Sequence, residues 1–169
     1  MISENGTQRA HPHIRKATKG DRAVILKLVH ALAEYERLEP PDKAAQERLI
    51  ADMLGDHPRF DAFLCEIGGV AAGYAFVLET YSSFLALPTL YLEDLFVLPK
   101  YRRQGVGYAL FKEMVAEAHR RGCGRMEWAV LDWNGLAINF YKRLGATHLK
   151  EWQLYRLVRC DMEKILAQQ

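Results

Sequence analysis

Residues 90–107 read LYLEDLFVLPKYRRQGVG, and the rest of the chain is organised around this stretch. Its first half is largely apolar, contains aromatic and β-branched side chains, and is closed by Pro99, which predicts a core strand. Behind the stretch, apolar residues recur with helical spacing as far as Gly122; they are Leu110, Phe111, Met114, Val115 and Ala118. The sequence therefore predicts a strand, a basic glycine-rich loop and a helix, in that order.

The loop predicts an anion site at the start of that helix. Gly105 and Gly107 leave backbone N–H groups unobstructed at the positive end of the helix dipole. Lys100, Arg102 and Arg103 add side-chain cations, so a pyrophosphate fits better than a lone carboxylate. A loop that needs glycine only for its turn, and shows its charges to water, has the same pattern. Taken alone, the loop favours this second interpretation, because short glycine motifs are unspecific.

Composition indicates one soluble globular domain without a strong charge bias. The 169 residues are 50% hydrophobic and 26% charged, with a net charge of +2, which predicts neither a nucleic-acid nor a membrane partner. No apolar run reaches the length of a membrane span, and the polar start lacks a signal-peptide core, so a cytoplasmic location is expected. The three scattered cysteines and six scattered histidines predict neither a disulfide framework nor a metal site.

The remaining patterns divide the chain into a disordered tail at residues 1–13 and a single domain at residues 14–169. Helices are predicted from a capping box at Thr18 to about Tyr35, after a cap at Asp42, and from a cap at Asn134 as far as Gly145. Further strands are predicted at residues 14–17, 62–67, 70–79, 125–131 and 155–162, with a loop at 81–88. Together these elements predict a mixed α+β layer structure of about seven strands and about four helices.

Two motifs make the pattern specific. Arg102-x-x-Gly105-x-Gly107 follows a strand that ends in LFV at residues 95–97, and NGLAINFY at residues 134–141 follows the next predicted strand. This arrangement resembles the GCN5-related N-acetyltransferase (GNAT) superfamily, from about residue 14 to the end. Four blocks are similar to its diamine and thialysine acetyltransferase branch: LAEYE at 32–36, YLED at 91–94, WN at 133–134 and NFYK at 139–142. The resemblance implies the GNAT fold, with a mixed, mostly antiparallel central sheet flanked by helices.

The resemblance also implies acetyl-CoA as co-substrate, without a metal. The cofactor-binding positions would then be Leu95, Phe96, Val97, Arg102, Arg103, Gln104, Gly105, Val106, Gly107, Tyr108, Asn134, Ala137 and Lys142. The substrate-binding positions would be Tyr35, Glu36, Glu93, Asp94, Glu127 and Trp128. The acetyl group would pass directly to the amine in a ternary complex, where proximity supplies much of the rate. The family is typically dimeric, so a homodimer is expected, with residues 155–162 in the contact.

Acetyl transfer to an amine needs a base. An alkyl ammonium has a pKa of about 10.4, so a side chain or a water relay must remove a proton. Glu93 is the candidate, because a carboxylate between Leu92 and Leu95 on a core strand should be partly desolvated, which raises its pKa. A β-bulge near Glu93, which the family has, would turn the neighbouring side chains. The simpler alternative is that the Glu93 carboxylate lies at the edge of the sheet, in contact with water.

The leaving thiolate needs an acid. Tyr141 matches the general acid of the family, although it also lies on the apolar stripe of its predicted helix, where a core tyrosine is common. Asn134 is either the helix cap alone or also a contact to the cofactor.

The choice of amine depends on three departures from the diamine enzymes. Those enzymes have an acid where this chain has Ser82 and another near Gln153, and Phe84 replaces a tryptophan. A polyamine would find fewer counter-charges here, so a lysine-like amino acid or another small primary amine is the first choice and a polyamine the second. The alternatives are acetylation of a protein lysine or N-terminus, and a non-catalytic acetyl-CoA-binding module.

Overall fold

The computed structural model of this chain describes residues 11–168. Residues 1–10 of the predicted tail lie outside the described residues, and His13 already belongs to the first strand. The chain divides into two compact units, the first ending at Ala129 and the second beginning at Val130. Every strand of the described chain lies in the first unit. The single domain expected from the sequence stays a prediction.

Residues 11–168 form five strands and five α-helices, where the sequence predicted about seven and about four. The strands are β1 (His13–Lys16), β2 (Asp61–Ile67), β3 (Val70–Ser82), β4 (Leu87–Val97) and β5 (Arg125–Glu127). The helices are α1 (Arg22–Glu36), α2 (Lys43–Leu54), α3 (Val106–Arg120), α4 (Gly135–Arg143) and α5 (Arg159–Leu166). Short 3-10 turns at Lys19–Asp21 and Pro99–Tyr101 precede α1 and α3.

The strands form one sheet in the order β1-β2-β3-β4-β5. The pairs β1/β2, β2/β3 and β3/β4 are antiparallel, and β4/β5 is parallel, which confirms the mixed, mostly antiparallel sheet. A parallel pair needs a crossover connection, and α3 lies in the connection between β4 and β5. The strand, loop and helix predicted around residues 90–122 are therefore the crossover unit of this sheet.

Both faces of the sheet are covered. On one face, side chains of β2, β3 and β4 pack with α1 and α2 in a core cluster of Ile25, Leu28, Met53, Ala62, Leu64, Tyr74, Phe76 and Phe96. On the opposite face α3 lies against the sheet: a Cβ on Gly73 would lie 3.3 Å from Leu110 Cδ1 and would clash with the carbonyl oxygen of Phe96. Only glycine permits this close approach on β3.

Side-chain caps hold the 3-10 turn before α1 and the start of α2. Asp42 Oδ1 accepts the N–H of Ala45 at 2.7 Å and caps α2, as predicted. The N–H and the hydroxyl of Thr18 both donate to Asp21 Oδ2 at 2.8 Å, which closes the predicted capping box. The box encloses the 3-10 turn, so α1 begins after it. Arg15 of β1 donates to both oxygens of Asp21 at 2.7 Å, holds the pKa of that carboxyl far below its usual range, and ties the start of α1 to the sheet.

Two predicted boundaries in the first unit are wrong. The strand expected at 125–131 is only β5, because β4 offers paired positions to it only from Thr89 to Tyr91. Half of the loop expected at 81–88 belongs to a longer hairpin, since Tyr81 pairs with Pro88 and the next residue pairs with Leu87. The buried Ser82 hydroxyl accepts the N–H of Leu85 at 3.3 Å and closes the remaining turn.

The strand predicted at 155–162, in the second unit, is also wrong. Residues 144–158 form neither strand nor helix, and α5 begins at Arg159. Val158, Met162 and Ile165 recur with helical spacing, and this period prevails over the short alternation that indicated a strand. Within residues 11–168, every helix is too short or too polar to cross a membrane.

Candidate active site

A β-bulge on β4 separates the two candidate acids. Phe76 of β3 lies opposite Asp94, whereas the next residue, Val77, lies opposite Leu92. Glu93 is therefore the extra residue of β4, which confirms the bulge expected near this position. A bulge turns the side chains of its strand, so Glu93 and Asp94 have different surroundings.

Asp94, and not Glu93, is the acid that is partly buried. Glu93 is exposed, so the desolvation expected from its apolar neighbours in the sequence is wrong; the bulge turns it outward. Asp94 is partly buried, and burial raises the pKa of its carboxyl to about 6. A hydrogen bond from Tyr74 lowers this pKa, and the charges of Glu93 and Glu36 raise it. At neutral pH, Asp94 is thus a stronger proton acceptor than an ordinary aspartate.

Tyr74 is a neighbour of this site that the sequence analysis missed. It lies on β3 without exposed surface, and its hydroxyl donates to Asp94 Oδ2 at 3.0 Å. Burial raises the pKa of the phenol far above its usual range. The sequence did contain a signal for this role, because Tyr74 lies on an apolar strand. A buried tyrosine hydroxyl needs a polar partner, which a neighbouring element can provide.

The end of α1 brings two predicted substrate-binding residues to the same region. Glu36 is the last residue of α1, and burial raises the pKa of its carboxyl. Its charge also acts on Asp94, so the two carboxyls are near neighbours. The Tyr35 ring lies 6.2 Å from the Phe96 ring, centroid to centroid. Tyr35, Glu36 and Asp94 are therefore assembled at one edge of the core.

The start of α3 has the geometry predicted for an anion site. Gly105, the N-cap, has a φ of 83°, the left-handed conformation that favours glycine. The N–H of Ala109 donates to the Gly105 carbonyl at 2.9 Å. The N–H groups of Val106, Gly107 and Tyr108 precede this first helical bond. The N-cap is a glycine, so it has no side chain that could bond to them. Amides at the positive end of a helix dipole suit a phosphate.

Arg102, predicted as a cation of this site, makes contacts with other residues of the protein. Its Nε donates to the carbonyl oxygen of Val97 at 3.0 Å. Its guanidinium carbon lies 4.6 Å from the Tyr35 ring centroid and 5.8 Å from that of Phe96. Arg102 thus links the loop to β4 and α1, and its contact with a cofactor stays a prediction. Arg103 is exposed, with a left-handed φ of 61°.

The neighbouring residues of the predicted cofactor set lie at the end of β4 and in the loop before α3. Gln104 Nε2 donates to the Lys100 carbonyl at 2.8 Å, and Lys100 Nζ lies 4.8 Å from the Tyr101 ring centroid. Leu95 is partly buried, and the two residues after it are buried. Their position fits the prediction, and their contact with a cofactor remains to be tested.

Glu127 and Trp128 lie at the end of β5. Glu127 is opposite Tyr91 of β4 and pairs with Arg125 Nε at 2.9 Å. The Trp128 ring packs edge to face on Phe111 of α3, with centroids 5.5 Å apart. Trp128 therefore contributes to packing around α3, and the binding of substrate by either residue stays a prediction.

The second unit contains the predicted acid. Asn134 Oδ1 accepts the N–H of Ala137 at 3.2 Å, which confirms Asn134 as the cap of α4. Tyr141 follows on the same helix, and its ring lies 5.2 Å from that of Phe140. Burial raises the pKa of the Tyr141 phenol to about 12, so it is protonated at neutral pH. Lys142 is exposed.

Comparison with known proteins decides the family. The sequence profile of the acetyltransferase (GNAT) family matches residues 25–146. This chain belongs to the GNAT family. The GNAT protein is 38% identical to the thialysine N-epsilon-acetyltransferase of Sus scrofa over 154 residues, which cover 85% of this chain and 90% of the relative. It is 33% identical to an L-ornithine N5-acetyltransferase of Arabidopsis thaliana over 203 residues, with 93% and 89% covered.

Solved structures agree with the fold. An integron cassette protein from V. cholerae aligns with a TM-score of 0.76 at 21% identity, covering 94% of this chain and 98% of that one. With the family match and the relatives, this GNAT protein is an N-acetyltransferase, a member of the acyltransferase class.

GNAT enzymes use acetyl-CoA as co-substrate. The start of α3 fits this molecule, because free backbone N–H groups and the exposed Arg103 suit the pyrophosphate of a coenzyme. In the described part of the chain, no group of three or more histidine, cysteine or acidic side chains is arranged to hold a metal ion.

Gly105→Ala is expected to raise the Kd for acetyl-CoA about tenfold. A Cβ at Gly105 meets no atom within 4 Å, so the substitution acts through the left-handed φ, which costs an L-residue about 1–2 kcal/mol. The loop then populates its binding conformation less often, and the apparent Kd rises in proportion. Isothermal titration calorimetry with acetyl-CoA measures the change.

Gly122→Ala is the matched control for this substitution. Gly122 follows the other end of α3 with a φ of 66°, and a Cβ there also meets no atom within 4 Å. Both variants should lose similar stability, whereas only Gly105→Ala should weaken binding. A wild-type Kd in Gly105→Ala, or an equal loss of affinity in both variants, contradicts a coenzyme site at the start of α3.

Proposed function

We propose that this GNAT protein transfers the acetyl group of acetyl-CoA to a primary amine of a small molecule. A lysine-like amino acid such as thialysine is the first choice of acceptor, and a polyamine is the second. The observation that carries the proposal is the pair of partly buried carboxyls, Glu36 and Asp94, beside the bulge of β4. The names of the relatives support this class, because thialysine and ornithine are both amino acids with a side-chain amine.

The two carboxyls favour a cationic ligand. Among residues 11–168, no lysine or arginine acts on the pKa of Glu36 or Asp94, and burial raises both pKa values. A carboxylate removed from water without a cation is unfavourable, and the ammonium group of a ligand relieves this cost. Two carboxyls match one or two ammonium groups better than the several charges of a longer polyamine.

The proposed mechanism is direct attack of the amine in a ternary complex. Bound acetyl-CoA supplies an activated thioester. Glu93, exposed on the bulge, accepts a proton from the ammonium, directly or through water, and releases it to solvent. The neutral amine nitrogen then bonds to the acyl carbon as the carbon–sulfur bond breaks, and the bonding electron pair leaves with the sulfur. The Tyr141 hydroxyl stabilises that sulfur by hydrogen bonding or proton donation, and the second proton lost by the nitrogen reprotonates the phenol or passes to solvent. Proximity supplies much of the rate, and no covalent enzyme intermediate is needed.

An acceptor panel tests this function. The purified protein is incubated with acetyl-CoA and thialysine, lysine, ornithine, spermidine or a lysine-containing peptide, and release of the CoA thiol is followed. We expect the highest kcat/KM for the small amino acids, a lower value for spermidine and the lowest for the peptide. The acetylated nitrogen is then identified by mass spectrometry. Equally negligible rates on all acceptors contradict the proposal.

Two other outcomes of the panel correspond to the alternatives from the sequence. Preference for the peptide would identify a protein acetyltransferase, which needs an open groove in place of an acidic pocket. Acetyl-CoA binding without turnover on any acceptor would identify a non-catalytic binding module. The homodimer and the cytoplasmic location expected from the sequence stay predictions.

A further inference from the structure

Tyr74 joins β3 to the acceptor region through a single hydrogen bond. The residue has no exposed surface, and its hydroxyl donates to Asp94 Oδ2 at 3.0 Å. We propose that Tyr74 is a positioning residue of the acceptor site, which holds one oxygen of Asp94 and leaves the other to receive the ammonium group of the amine. The inference rests on the proposed function, because it adds a residue to the same site.

Aromatic packing makes the Tyr74 hydroxyl a fixed donor. The ring centroid lies 4.6 Å from that of Phe76 and 6.3 Å from that of Phe96, with interplanar angles of 57° and 58°. Both neighbours belong to the core cluster that α1 and α2 cover, and a packed core leaves no room for another ring orientation. The carboxylate of Asp94 therefore takes its orientation from the phenol.

The strand register explains why the pair forms. Tyr74 lies opposite Phe96, and Phe76 lies opposite Asp94. Tyr74 and Asp94 are thus diagonal neighbours on one face of the sheet, a distance that a long aromatic side chain spans. The extra residue at Glu93 leaves Asp94 on this face while Glu93 itself is exposed. The bulge and the phenol together define where the carboxylate lies.

The charged and titratable groups around Asp94 come from three parts of the chain. They are Tyr74 of β3, Glu93 of β4 and Glu36 of α1. Burial is the strongest influence and raises the pKa of Asp94 to about 6, while the Tyr74 hydrogen bond lowers it. Loss of the hydroxyl therefore raises this pKa further. The carboxylate would then take up a proton at a higher pH and lose its charge toward the amine.

Tyr74→Phe tests this inference because it keeps the ring and removes only the hydroxyl. We measure kcat and KM for the best acceptor of the panel between about pH 5.5 and 9, and express each value as the ratio of variant to wild type so that titration of the amine itself cancels. KM should rise about threefold near pH 6.5 and return to the wild-type value near pH 8.5, since one hydrogen bond moves such a titration by about one pH unit. The value of kcat at saturating amine should change little.

Two further variants separate positioning from loss of packing. Phe60→Leu weakens the same core, since the Phe60 ring lies 5.0 Å from Phe76, but removes no hydrogen bond to Asp94. It should lower Tm without a pH-dependent change in KM. Asp94→Asn abolishes the titration, so adding Tyr74→Phe to it should produce no further pH dependence.

A KM ratio for Tyr74→Phe that does not vary with pH overturns the inference, as does the same pH-dependent ratio in Phe60→Leu. Titration of the Asp94 carboxyl by carbon-13 NMR gives a readout without turnover, and its midpoint should be higher in Tyr74→Phe than in wild type. If the wild type acetylates no amine, the proposed function fails, and an unchanged NMR midpoint would separately remove Tyr74 as the residue that holds Asp94.

Discussion

Tyr141→Phe is expected to lower kcat of this GNAT protein about 100-fold. The phenol has a pKa of about 12 because it is buried, so it keeps its proton throughout the neutral range. An ordinary thiol has a pKa of about 8.5, so the phenol is the weaker acid, and in the proposed mechanism it stabilises the leaving sulfur more by hydrogen bonding than by complete proton transfer. Phenylalanine retains the ring and removes this donor. Steady-state release of the CoA thiol measures kcat.

The Kd for acetyl-CoA should be unchanged in Tyr141→Phe, since the substitution keeps the ring and removes the hydroxyl, whose proposed role begins when the sulfur leaves. Tyr155→Phe is the matched control, because Tyr155 is exposed in the same unit and its hydroxyl donates to Gln153 Oε1 at 2.8 Å. This control should retain wild-type kcat. A wild-type kcat in Tyr141→Phe, or an equal loss in both variants, removes Tyr141 as the acid.

Glu93→Gln is expected to lower kcat about 100-fold as well. Glutamine keeps the size of the side chain but cannot accept the proton that the ammonium must lose before it attacks. Because Glu93 is exposed on the bulge, it can pass that proton to solvent after each turnover. The KM for the amine should change less than kcat, and steady-state kinetics at pH 7 to 9 measure both.

Asp94→Asn is the comparison for Glu93→Gln, and Glu79→Gln is its control. Asp94 is the partly buried carboxyl proposed to hold the ammonium group, so its loss should raise the KM for the amine more than it lowers kcat. Glu79 is an exposed strand carboxylate that pairs with Arg121 at 3.2 Å, and Glu79→Gln should leave both constants unchanged. The reverse pattern, with kcat lost in Asp94→Asn and kept in Glu93→Gln, would make Asp94 the base. Its raised pKa suits that role.

Short-range sequence patterns predicted most of the elements that position the candidate site. The strand, glycine loop and helix after residue 90 are present, with Gly105 in the left-handed conformation at the start of α3. Asp42 and Asn134 cap their helices as expected, because a cap depends on atoms three residues apart in the chain. The bulge at Glu93 was expected from the family resemblance, since nothing in the apolar run itself marks an extra residue.

Contacts between distant segments account for the errors. The guanidinium of Arg102 stacks on Tyr35 of α1, a contact with a distant residue that the sequence did not predict, while its contact with a cofactor stays a prediction. The hairpin of β3 and β4 is longer than predicted because Ser82 closes a tighter turn. The last segment forms α5 in place of a strand, since alternation and helical spacing both fit its apolar residues.

The sequence by itself determined the crossover unit with its free amides at the start of α3 and the family, and it supplied the acids proposed for the acceptor site, because these depend on residue type and short spacing. The tertiary structure decided which acid is buried. Asp94 has a raised pKa and a fixed orientation because β3 brings the Tyr74 hydroxyl to it and α1 brings the charge of Glu36. Burial is a property of what the rest of the fold places around a carboxyl, and no pattern within β4 records it.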